Sequence, residues 1–234
     1  MNINNGYEQH VEVMKQLKMS DSFYEVREPS KENFEKIYNQ AKDENINISS
    51  AKDFLNSLSK EELKTLQNHT LLVDSISVDN LSDEGAYNLL LNHYEQYDFD
   101  NDGFVSTGIG TRTSFLPSDM PNKEKEILVE TLNEMDEKDR FLTIAFLQPL
   151  KLHPDTNFKI TQDAQMDYES IMKRFDTLIN PKPPAYTSPQ LISTLGLFKD
   201  LFEKNFNDKS DQNEQIQGEK NRNSQLLKAR LSIV

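Results

Sequence analysis

Asp98-Phe99-Asp100-Asn101-Asp102-Gly103-Phe104-Val105-Ser106 interrupts a chain whose other segments are patterned for helices. Carboxylates alternate along the backbone at 98, 100 and 102, and a glycine follows the third. This alternation curls a loop around a hard cation and brings oxygens to it from several directions. The stretch therefore reads as one tight, acid-lined loop set inside a helical protein.

The helical reading rests on caps and on apolar spacing. Ser59-Lys60-Glu61-Glu62 has the form of a capping box, in which the serine hydroxyl serves an orphan amide and Glu62 reaches back. Ser30, Ser50 and Asp136 open similar runs, and Ser188-Pro189 sets a cap before a first-turn proline. Ile127, Leu128, Thr131, Leu132 and Met135 share one helical face. The run Phe141 to Leu147 is apolar on nearly every side, which predicts a helix buried at the centre of a bundle. Ala164, Tyr168, Ile171, Phe175 and Leu178 step by four and three, and Leu191, Leu195, Phe198, Leu201 and Phe202 do much the same. Leu71 to Val78 is the single candidate for a short strand, with a connector as the alternative. The expected fold class is all-α: an irregular multi-helix bundle spanning residues 1–180 with the Asp-rich loop at 98–109. A proline-rich connector at 181–189 follows. Residues 190–234 then form an amphipathic helix and a polar tail. Asn207 to Gln225 is almost wholly polar and reads as an exposed helix, a linker or disorder.

The Asp-rich stretch resembles the calcium loop of the EF-hand family. Asp98, Asp100 and Asp102 fall at the first, third and fifth loop positions and Gly103 at the sixth, where the backbone turns sharply. The resemblance implies a metal ligand set of Asp98, Asp100, Asp102, the Phe104 carbonyl and Ser106, with Val105 tucked inward. Leu90, Tyr94 and Tyr97 are spaced to share a face of an entering helix. The likeness stops after Ser106. Ile109 stands at the twelfth position, where the family places a bidentate Glu, and Gly108-Ile109-Gly110-Thr111 is poor material for an exiting helix. Either another segment completes the shell, with Asp119, Glu124 and Glu126 the nearest acids, or the site is weak and partly hydrated. The competing reading is an Asp/Asn/Gly turn that binds nothing.

Composition narrows the function classes. The 234 residues carry a formal charge of −13, which argues against nucleic acid and anionic membrane as partners. The charge favours cations, basic protein surfaces or simple solubility, and the expected partners are a divalent cation with a protein partner or a second copy of the chain as the further alternatives. The absence of Cys excludes disulfides and thiolate zinc sites. No apolar run reaches bilayer length and the N-terminus has no secretory pattern, so a cytoplasmic location is the default expectation. Abundant Asn, Lys and Ile suggest an AT-rich bacterial gene. His10, His69, His93 and His153 form no ligand pattern, and His93 is expected at the surface or half-buried. The pairs Asp83-Glu84 and Asp136-Glu137 are explained by the helix dipole. No phosphate loop, serine-hydrolase elbow or other catalytic motif is present. The expected function is a non-catalytic protein with one Ca²⁺ site that orders a loop. The alternative is a helical adaptor acting through its C-terminal amphipathic segment, with the acidic turn binding no metal.

Overall fold

The computed structural model describes residues 3–114, 116, 120–147, 167–180 and 188–231, with the backbone alone at 3–5 and 211–231. Ten helices and one hairpin make up the described residues: α1 (Ile3–Met14), α2 (Asp21–Glu25), α3 (Glu28–Asp43), α4 (Ala51–Ser57), α5 (Lys60–Thr70), α6 (Asp83–Asn88), β1 (Phe104–Thr107), β2 (Gly110–Thr113), α7 (Asn122–Glu134), α8 (Glu137–Leu147), α9 (Tyr168–Ile179) and α10 (Pro189–Leu231). The mainly helical class expected from the caps is therefore the class observed. Ser59 and Glu62 complete the capping box of α5, Asp136 caps α8 by accepting from the Asp139 amide, and Ser188 accepts from the Leu191 amide. Ser50 makes no side-chain cap, and Ser30 lies inside α3.

The apolar side chains gather into two clusters. One joins Phe34, Ile37 and Ala41 of α3 to Ala51, Phe54 and Leu55 of α4, Leu66 of α5, and Ala86, Leu89 and Leu90 at and beyond α6. The other joins Val13 and Met14 of α1 to the buried face of α7, to Ile171 and Phe175 of α9, and to Leu195, Phe198 and Phe202 of α10. The first helix thus packs against α7 rather than against its sequence neighbours. All five face residues expected on α7, Ile127 to Met135, are buried. On α10 the rings of Phe198 and Phe202 stack with centroids 5.3 Å apart, and Phe175 of α9 lies 4.6 Å from Phe198.

Three local expectations are corrected. Phe141 is 75% exposed, so α8 does not lie buried on all sides; Thr143 and Leu147 alone are its fully buried residues. The strand material lies at 104–113, where Gly108 (φ 61°) turns an antiparallel hairpin, while 71–78 takes the connector alternative, with a 3₁₀ turn at Val78–Asn80. The helix before the acidic loop ends at Asn88, well short of Asp98. Residues 207–231 take the helical alternative as part of α10. Residues 181–187 of the expected connector, Asp119, His153 and Ala164 lie outside the described residues.

Phe198→Ala removes a fully buried ring from the α7–α9–α10 core and is expected to cost about 3–5 kcal/mol in urea unfolding. Ile192→Ala on the outer face of the same helix is expected to stay within about 0.5 kcal/mol. Equal losses would show that α10 is not packed as described.

Candidate metal centre

The site is built from one short helix and the loop that returns to it. Ser82 caps α6 by accepting from the Gly85 amide at 2.9 Å. That sets Glu84 and Asn88, four residues apart, on one helical face. Gly85 lets this face come close to the hairpin. Its carbonyl accepts from the Gly108 amide at 2.9 Å, and a Cβ at Gly85 would run into the Gly108 carbonyl oxygen.

Glu84 and Asn88 then hold both ends of the loop. Glu84 Oε2 accepts from the amides of Phe99 (2.6 Å) and Asp100 (3.2 Å), and its Oε1 accepts from Ser106 (2.6 Å). Asn88 Nδ2 donates to the carbonyls of Tyr97 (3.0 Å) and Ser106 (2.7 Å), while its Oδ1 accepts from the Tyr97 amide (3.2 Å). Inside the loop, Asp98 Oδ2 accepts from Gly103 N–H at 3.0 Å, Asp100 Oδ1 from Asp102 N–H at 3.1 Å, and Asp102 Oδ1 from Phe104 N–H at 2.8 Å. Asn101 and Gly103 take left-handed backbone angles, φ 58° and 92°, which close the turn. Below it, the rings of Tyr7 and His10 on α1 meet Tyr97, with Phe99 between Tyr7 and Tyr87.

Carboxylate oxygens of Glu84, Asp98 and Asp100 lie within 4.8 Å of one another. Glu84 is 2% exposed and Asp98 6%. Asp98 Oδ1 is buried with no hydrogen-bond partner. None of the three acids makes an ion pair among the described residues. Burial pushes the Asp98 carboxyl up to about 6, and the neighbouring charges of Glu84, Asp102 and Asp100 add to the rise against the pull of the Gly103 amide. Burial raises Glu84 as well, opposed by its three backbone donors.

Of the ligands anticipated from sequence, Asp98 and Asp100 are brought together here. Asp102 is exposed and stands outside the three-acid cluster. Phe104 opens β1, and Ser106 is anchored through its backbone to Glu84 and Asn88. The acid that approaches from elsewhere is Glu84, not Glu124 or Glu126: Glu124 accepts from the Tyr168 amide and Glu126 faces Lys209. The signal for Glu84 lay in its surroundings. A Gly-Ala pair after it marks a close approach, and an Asn four residues on places a second polar group on the same face.

No protein-family model, curated protein or solved structure matches the chain, so no catalytic family is indicated. No helix among the described residues is long and apolar enough to cross a membrane.

The raised Asp98 carboxyl has a defined stability signature in chelated protein. Between about pH 4 and 6 the folded chain keeps a proton that the unfolded chain has lost, so this group lowers stability as pH rises through that window. His10, His69 and His93, each lowered to about 4 mainly by burial, act oppositely, adding stability as pH rises from about 4 to 6.5. The difference between wild type and Asp98→Asn isolates the carboxylate. Metal-free Asp98→Asn is expected to melt higher than wild type at neutral pH, with the gap closing toward pH 4. A variant less stable than wild type across the range contradicts this.

Proposed function

We propose that this chain is a non-catalytic, mainly helical Ca²⁺-binding protein, in which the cation locks the 98–106 loop onto α6 in a structural or modulatory role. The observation that carries the reading is the buried, unpartnered Asp98 Oδ1 beside two further carboxylates. A dry carboxylate next to like charges is costly unless it is protonated or meets a cation. The donors are all hard oxygens, which suits Ca²⁺ or Mg²⁺ and not a thiolate-seeking metal. The resemblance of the loop to a calcium loop favours Ca²⁺, since Mg²⁺ demands near-octahedral geometry.

Glu84 adds a carboxylate from outside the loop, but three amides already occupy much of its lone-pair capacity. The site is therefore expected to be weak, in the range of about 10⁻⁴–10⁻³ M typical of low-affinity modules. The adaptor reading is less well supported. The apolar face that would serve a partner, Leu195, Phe198 and Phe202, lies in the chain's own core.

In chelator-treated protein, millimolar CaCl₂ is expected to raise the melting temperature, and Mg²⁺ to raise it less. Asp100→Ala and Asp98→Asn should each abolish the calcium response. No rise in wild type, or the same rise in Asp98→Asn, would remove the site and leave only ionic screening of an acidic chain.

A further inference from the structure

A second feature lies away from the acidic loop. An open groove of about 690 Å³ runs between α2 and α8, walled by Met19, Phe23, Val26, Leu71, Phe141 and Ile144. It continues into a neighbouring cleft of about 480 Å³ that shares Met19, Phe23, Arg27, Phe141 and Ile144. Val26, Leu71 and Phe141 on its walls are 52%, 51% and 75% exposed, which makes this an apolar patch on the surface and not an enclosed cavity.

The charge here is opposite to that of the molecule. The chain carries −13, yet the two clefts are bordered by Lys18, Arg27, Arg112, Lys138 and Arg140, with Glu137 the single acid. None of the five cations makes an ion pair among the described residues. Arg27 lies over the Phe23 ring at 3.7 Å and donates to the Phe23 carbonyl, which fixes it at the groove wall. Arg140 Nη1 is buried and has no hydrogen-bond partner. A buried guanidinium nitrogen without an acceptor is a demand for an anion.

We propose that this groove docks an acidic amphipathic helix of a protein partner. Its apolar face would fill the channel between Phe23, Val26, Phe141 and Ile144, and its carboxylates would meet Lys18, Arg27, Lys138 and Arg140. Two helices already form the walls, so a third can lie between them with side chains at i, i+3, i+4 and i+7 as anchors. The rim charges set orientation and reject basic helices.

The test is a selection on the full-length chain. A displayed library of helices about fourteen residues long, with the apolar face fixed and the polar positions drawn from Glu, Lys and Gln, is enriched against wild type. The selected peptide is then measured by fluorescence anisotropy against wild type, Lys138→Glu/Arg140→Glu and Phe141→Ala. Circular dichroism and thermal melting of the variants report that the fold is kept. Glu-rich peptides should win, and each variant should weaken binding by about tenfold or more. Winners that are Lys-rich or indifferent in charge, no enrichment, binding untouched by both variants, or binding of laurate with no peptide selected would each overturn the proposal.

Discussion

The acidic turn depends on one carboxylate. Glu84 gathers the amides of Phe99, Asp100 and Ser106 at 2.6–3.2 Å and so ties three points of the loop to one end of a six-residue helix. Hydrogen bonds to a charged acceptor are worth about 1.5–3 kcal/mol each, which is large against the marginal stability of a folded chain. Asn88 repeats the pattern one turn later with the two carbonyls and one amide that flank the loop. Together with the Gly108 amide on the Gly85 carbonyl, this pair fixes the hairpin at 104–113 against α6.

The same arrangement creates an unresolved charge. Gathering the loop around Glu84 brings Asp98 into the interior and leaves one of its oxygens without a donor. The backbone turn is largely satisfied, since six of the eight amides from Phe99 to Ser106 donate to a carboxylate. The acids themselves are not. A protein selected only for a stable turn would place Asn or Ser at position 98, where a neutral group accepts the Gly103 amide without the cost of a buried charge. Retaining Asp there makes physical sense if a cation supplies the missing partner.

The helices were legible because their signals are local. The capping box at Ser59 and the spacing of Ile127 to Met135 follow from neighbours three and four residues apart, and both appear as read. What sequence reading missed depends on distant contacts. The pair Asp83-Glu84 matches an ordinary helix start, and only the folded chain shows that Ser82 turns Glu84 inward to a loop fourteen residues later. The apolar neighbours of Phe141 suggest core. Its exposure follows from α8 packing through Thr143 and Leu147 on another face. The hairpin was hidden because Gly108 and Gly110 argue equally for a loop, and because two four-residue strands of largely polar residues carry little periodicity.

The measurement that bears most directly on this account is a calcium titration of the ¹⁵N-labelled, chelator-treated chain followed by amide chemical shifts. Occupation of the proposed centre predicts saturable shifts concentrated at Phe99, Asp100, Gly103 and Ser106, the amides that share carboxylates with the site. Small, non-saturating shifts spread over the acidic surface, with those four amides unmoved, would contradict it.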